Sequence, residues 1–194
     1  MTGQAFPSYP TQMNTRASVP EGALKAQALF LVGFMGAGKS SVGQILGKRL
    51  GWMFEDLDER IQKNEGPSIE QIFAESGELF FRHAEHAALC QVIAELGAAP
   101  RVVALGGGAF AQAENIALLE KAALPTVFLD GPVDELFLRC QEQGRARPLR
   151  SDLELFRKLY EARRRHYMTA SIRVDTSGKS VEKVVDDVAE ALGL

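Results

Sequence analysis

A chain of 194 residues, 46% hydrophobic and 24% charged, carries enough apolar material for one packed domain and is too ordinary in charge to be disordered throughout. Its net charge of −3 argues against gripping a polynucleotide through a bulk positive field. No apolar stretch is long enough to span a membrane, and the start lacks the charged-then-apolar pattern of a secretory signal, so a cytoplasmic protein with no membrane partner is expected.

Residues 1–25 are polar, hold Pro7, Pro10 and Pro20, and show no periodic apolar pattern; they are expected to be a disordered leader before a domain over 26–194. Ala28–Val32 reads as a buried strand. Gly33-Phe34-Met35-Gly36-Ala37-Gly38-Lys39-Ser40 then fits G-x-x-x-x-G-K-[ST]. Val42, Ile45, Leu46 and Leu50 follow at helical spacing. Strand, glycine loop and helix make a phosphate-binding loop. The glycines let amides approach phosphate oxygens, the helix N-terminus favours the anion, Lys39 reaches the outer phosphates, and the Ser40 hydroxyl suits Mg²⁺.

Trp52–Asp56 reads as a second strand running into a helix. Asp56 and Asp58 are two apart, on one side of an extended segment. Either they face a ligand at the strand's carboxyl end or they are acids enriched at a helix start; the phosphate loop favours the first. Asn64–Pro67 is a turn, and Ser68 with Gln71 spells a capping box for a helix that Ser76-Gly77 should break. Beyond it, Arg82 lies one turn from Glu78, Glu85 and His86: a surface salt-bridge cluster, or an arginine fixed by Glu85 to bind an anion. His83 and His86, three apart and with no third ligand, read as ordinary helix residues. Cys90 and Cys140 lie in helical patterns without companion ligands, as free thiols of a reducing compartment do.

Arg101–Leu105 is the third strand, and Gly106-Gly107-Gly108 at its end would let backbone approach a ligand closely. A helix over 109–123, a strand over Pro125–Asp130 and a helix opened by Pro132 follow. From Arg139 to Arg165 the acidic chain turns basic, which suits a small anionic ligand. Within it, 143–155 reads as a mobile, arginine-bearing lid. A helix from about Asp152 to Thr169 puts Leu159, Arg163 and Tyr167 in one row, while Arg164 shares a face with Tyr160; periodicity does not choose between the two arginines. Ile172–Thr176 is a fifth strand, and Val181, Val184, Val185, Val188 and Leu192 mark a last amphipathic helix. The alternation predicts an α/β fold: a parallel sheet of about five strands with helices on both faces.

The ordered set of the phosphate loop, Asp56-Leu57-Asp58, Phe81-Arg82-His83-Ala84-Glu85, Gly106-Gly107-Gly108, Arg147-Pro148-Leu149, and Arg163 four residues before Tyr167 resembles the shikimate kinase family over about residues 27–192. The resemblance implies the fold of nucleoside monophosphate kinases, with strand order 2-3-1-4-5 and a closing lid. It implies ATP-dependent phosphorylation of the shikimate 3-hydroxyl in aromatic amino-acid biosynthesis, by a monomer that needs no nucleic acid. By the same resemblance, Gly36, Ala37, Gly38, Lys39, Ser40 and Ser41 hold ATP, Arg139 stacks on adenine, and Arg147 comes from the lid onto the phosphates. Ser40 and Asp56 hold Mg²⁺, Asp56 through water. Asp58 takes the acceptor hydroxyl and can act as base. Arg82 and Arg163 grip the carboxylate, Gly106, Gly107 and Gly108 meet the ring hydroxyls, and Phe73 and Phe81 wall the pocket. Two competing readings are a kinase for gluconate or another small polyhydroxy acid, and a non-catalytic nucleotide-sensing module.

Overall fold

A computed structural model of the chain describes residues 28–142 and 152–194. The leader expected over 1–25, Arg147 and residues 143–151 of the lid expected over 143–155 lie outside the described residues. Five strands form one parallel sheet in the order β2-β3-β1-β4-β5: β1 (Ala28–Val32), β2 (Met53–Asp56), β3 (Arg101–Ala104), β4 (Thr126–Asp130) and β5 (Ile172–Asp175). The central strands β1, β3 and β4 are buried along their whole length, the mark of a parallel sheet covered on both faces. The edge strand β5 alternates buried and exposed residues.

Among the described residues eight α-helices connect and cover the strands: α1 (Lys39–Leu50), α2 (Leu57–Glu65), α3 (Ile69–Glu75), α4 (Gly77–Ala94), α5 (Ala113–Lys121), α6 (Val133–Glu142), α7 (Leu153–Tyr167) and α8 (Val181–Leu192). The Ser68–Gln71 capping box forms and opens α3, and the expected break at Ser76-Gly77 separates α3 from α4. Asp152 caps α7 by accepting from the amides of Glu154 and Leu155, so residues 152–155 begin a helix. Among the described residues no helix is long and apolar enough to cross a membrane.

Two elements differ from expectation. The helix expected over 109–123 is a 3-10 turn, Ala109–Ala111, then α5 after an extended Gln112. Asn115, fully buried, donates from Nδ2 to the Ala109 carbonyl (3.0 Å) and holds that turn apart from the helix. In α1, Ile45 faces solvent, and the buried stripe is Val42, Gly43, Leu46 and Gly47. Phe54 of β2 lies so close to Gly43 that a Cβ there would sit 2.7 Å from its Cδ2, so a glycine pair seats the helix on the sheet.

Candidate active site

The carboxyl ends of β1, β2 and β3 carry the site. After β1 the glycine loop turns into α1, with Gly38 left-handed (φ 82°) at the helix start. The first amides of α1 thus point toward the loop, where an anion is favoured. Lys39 folds back and donates from Nζ to the carbonyls of Gly33 (2.9 Å) and Phe34 (3.0 Å). Burial lowers its pKa from the ordinary value, and the charges of Asp58 and Asp56 pull the other way. Ala37 is buried under the loop, and Ser41 is exposed on the first turn of α1.

Asp56 ends β2, and α2 begins at the next residue, so Asp58 sits in a helical first turn rather than an extended segment. The extended-segment premise does not hold, yet both carboxylates lie close enough to Lys39 to act on its charge. Instead Asp56 does two jobs with two oxygens. Oδ1 caps α2 by accepting from the Asp58 amide (3.0 Å), and Oδ2 accepts from the Ser40 hydroxyl (2.7 Å). One carboxylate thus caps the helix and meets the first turn of α1. A hydroxyl beside a carboxylate is a hard-oxygen donor set that fits Mg²⁺, which takes few protein ligands and keeps phosphate and water oxygens. No cluster of three or more His, Cys, Asp or Glu suited to a metal occurs among the described residues.

The glycine run faces these groups. A Cβ on Gly106 would lie 3.2 Å from Glu85 Oε1 and 3.4 Å from Asp58 Cγ, and one on Gly108 would lie 2.7 Å from Arg82 Nη2 and 2.8 Å from its Cζ. Both positions therefore need glycine for close approach of these protein side chains. The carbonyls of the run are engaged within the protein. Gly106 O accepts from the Ala109 amide (3.0 Å), Gly108 O from the Ala111 amide (3.1 Å), and Gly107 O from Arg163 Nη1 (3.2 Å) and the Tyr167 hydroxyl.

Arg82, on α4, donates to Glu85 Oε2 (2.8 Å) and to Glu78 Oε1 (3.0 Å). Glu85 is only 1% exposed, and its Oε1 has no hydrogen-bond partner. A buried pair with an orphaned oxygen is no surface salt bridge. The Arg82 guanidinium also lies 5.2 Å from the centre of the Phe81 ring, and Phe81 stacks on the half-exposed Phe73 (4.7 Å).

On α7 the two adjacent arginines part company. Arg164 donates to Asp130 Oδ2 (2.7 Å) and to the Tyr160 hydroxyl (3.1 Å), a structural pair at the end of β4. Arg163 has no ion pair among the described residues; it reaches Gly107 and lies over the Phe34 ring (5.8 Å). Arg139, on α6, pairs with Glu135 Oε2 (3.1 Å), which also accepts from the Gly178 amide after β5 (3.3 Å). That places Arg139 on the β5 side of the loop, away from Arg82.

Two supports escaped sequence reasoning. Tyr167 read only as a core residue. His86 Nδ1 lies 2.7 Å from Asn115 Oδ1. Because Asn115 Nδ2 already donates to Ala109, its Oδ1 accepts, so His86 carries its proton on Nδ1 and braces the turn after the glycine run. Neither role has a signal in a single sequence beyond the residue type.

Glu85 makes the site pH-sensitive. Burial pushes its carboxyl up to about 7 against the opposing pull of Arg82, with Asp58 raising it and Arg163 lowering it. A carboxyl raised in the fold binds a proton that the unfolded chain has released, so its burial costs stability as pH rises from 4.5 toward about 7. An anion held by Arg82 favours the protonated form further. Anion binding at pH 7 should therefore take up protons, read by calorimetry as an apparent enthalpy that changes with the buffer's ionisation enthalpy. The Glu85→Gln variant should lose that dependence. Buffer-independent enthalpies in the native chain would contradict the assignment.

Comparisons with known proteins fit this geometry. The family model described as shikimate kinase matches residues 35–193. A shikimate kinase of Geobacter metallireducens is 42% identical over 162 residues, spanning 82% of this chain and 88% of that protein. The crystal structure of shikimate kinase from Aquifex aeolicus superposes with a TM-score of 0.74 at 36% identity, covering 86% of this chain and 96% of that one. Shikimate kinase from Acinetobacter baumannii in complex with shikimate gives 0.76 at 30% identity, covering 84% and 90%.

Proposed function

The chain belongs to the shikimate kinase family and phosphorylates shikimate with ATP, and we propose that it does so with Asp58, Lys39, Arg82 and Arg163 as the central groups. The observation that carries this assignment is the convergence of Asp58, two arginines and an amide-lined glycine run on the loop where Lys39 sits. Competing acceptors have less support. A small carboxylate calls for cations at one end of the pocket, and both arginines face the glycine run. A nucleotide-sensing module has no need of an acceptor-facing carboxylate.

In the reaction, Arg82 and Arg163 hold the shikimate carboxylate while amides of Gly106–Gly108 meet ring hydroxyls, and Phe73 and Phe81 wall the pocket. Asp58 accepts a hydrogen bond from the 3-hydroxyl and takes its proton as the oxygen attacks the γ-phosphorus. A new P–O bond forms, the bond from that phosphorus to the β,γ-bridging oxygen breaks, and ADP leaves. Lys39 balances negative charge on the transferring group, with Gly36, Ala37, Gly38, Ser40 and Ser41 around the phosphates. Mg²⁺ held by Ser40 and, through water, Asp56 would neutralise phosphate charge. Arg139 lies under the adenine, and Arg147, outside the described residues, belongs to the lid. The domain spans 26–194. The protein acts as a monomer in this reading, and Cys90 and Cys140 are free thiols, which supports a reducing, cytoplasmic setting.

Steady-state kinetics test the reading. ADP release from ATP should saturate with shikimate and require a divalent cation. A folded preparation with no shikimate-dependent release would end it. The Gly108→Ala variant adds a further check. Its backbone (φ −108°, ψ −16°) suits any residue, so the fold should survive, while the new methyl displaces Arg82. We expect kcat/KM for shikimate to fall by about 10²-fold, with a lowered melting temperature as Glu85 loses part of its pairing, in a chain that still folds. A variant of normal kinetics would remove Arg82 from the binding site.

A further inference from the structure

One carbonyl at the heart of the acceptor pocket serves two side chains from a single helix. Arg163 and Tyr167, four residues apart on α7, both donate to Gly107 O. The Tyr167 ring is fully buried and stacks on Phe128 of β4 (5.3 Å between ring centres), so its hydroxyl is held at the end of a rigid lever. Arg163 is less constrained. Its guanidinium has the Phe34 ring on one side, no carboxylate partner among the described residues, and a 3.2 Å hydrogen bond to Gly107.

We propose that Tyr167 is a positioning residue for the acceptor substrate: its hydroxyl pins the Gly107 carbonyl and, through that shared acceptor, sets where the Arg163 guanidinium waits for the carboxylate. This rests on the reading of Arg163 as a carboxylate ligand. A carbonyl oxygen has two lone pairs. With Tyr167 on one, Arg163 uses the other at the long end of the hydrogen-bond range and can turn a second N–H to a ligand. Without the phenol, the carbonyl is free to draw the charged guanidinium inward. The charge-assisted bond shortens, and the arginine is then held by the protein rather than offered to the substrate. The phenol oxygen also keeps lone pairs that can accept from the same guanidinium, which stands beside it.

The Tyr167→Phe variant keeps the ring and removes the donor. Expected is a rise of about tenfold in KM for shikimate, with KM for ATP unchanged and kcat altered less than KM. The decisive measurement is a double-mutant cycle with Arg163→Ala. If Tyr167 acts through Arg163, Tyr167→Phe costs little further shikimate affinity once Arg163 is gone. Additive losses, or equal losses for both substrates, overturn the proposal. If Arg163→Ala leaves KM for shikimate unchanged, the assignment of Arg163 itself fails, an outcome distinct from a silent Tyr167→Phe beside a damaged Arg163→Ala. Should the Phe variant not fold, a ring-fluorinated tyrosine placed at 167 keeps the shape and strengthens the donor. It should shift shikimate affinity and not ATP affinity, and no shift overturns the proposal.

Discussion

Replacing Asp58 by asparagine is expected to lower kcat by about 10²–10⁴-fold while leaving KM for ATP unchanged. Asparagine matches the carboxylate in size, so it fits against Gly106, where there is no room for a larger group. It still sits in the first turn of α2, whose cap is the Asp56 carboxylate accepting from the residue-58 amide. What it loses is the ability to take a proton and the negative charge that helps hold Lys39 protonated in a buried setting. Both losses act on the chemical step. The matching change, Asp56→Asn, should behave differently. The amide side chain keeps an oxygen for the cap but offers Ser40 and a cation a neutral partner, so the main effect is a higher Mg²⁺ requirement, read from initial rates against metal concentration. If Asp58→Asn retained near-native kcat, the proton would have to leave by another route, and Asp58 would be no more than a hydroxyl anchor.

The sheet, its five strands and its parallel sense were legible because the signals agree at several levels. Buried apolar runs alternate with helical periods, and turn residues fall between them. Ile45 was misplaced for a physical reason. Apolar periodicity counts side chains, and α1 is seated on the sheet by two glycines that have none. The 3-10 turn after Gly108 was missed because its cause is tertiary. Asn115 holds a carbonyl six residues earlier, and His86, on a different helix, fixes how Asn115 points. At the site, residue types and order sufficed to nominate Lys39, Asp58 and Arg82. The premise behind the Asp56 and Asp58 spacing failed because α2 starts directly after the strand ends, a boundary that an alternation rule does not locate, though both acids still act on Lys39. Periodicity did not choose between Arg163 and Arg164, since adjacent residues on a helix differ by about 100° in direction; the resemblance chose Arg163, and the coordinates add that Arg164 is paired with Asp130.

These two arginines should respond to truncation in opposite ways. Arg163→Ala should reduce kcat/KM for shikimate by about 30- to several-thousand-fold, the cost of truncating one partner of a desolvated charge pair at about 2–5 kcal/mol. The loss should appear mainly in shikimate binding, because the arginine's hydrogen bond goes to Gly107 of the acceptor-side glycine run. Its effect on folding should be small, since no carboxylate among the described residues is left unpaired by its removal. Arg164→Ala should do the reverse. Asp130 is 5% exposed and would lose one of two arginine partners, keeping Arg173 and the Tyr160 hydroxyl. A full break of a buried pair costs about 3–5 kcal/mol, and the surviving partners should hold the loss to about 1–2 kcal/mol, or several degrees in melting temperature. Kinetics at a temperature where both variants are folded separate the cases, and thermal melts complete the cross. Two neighbouring arginines with opposite signatures would tie the acceptor's carboxylate to one side chain. If the signatures were exchanged, α7 would have to be rolled by one residue, and Tyr167 would then no longer face the glycine run.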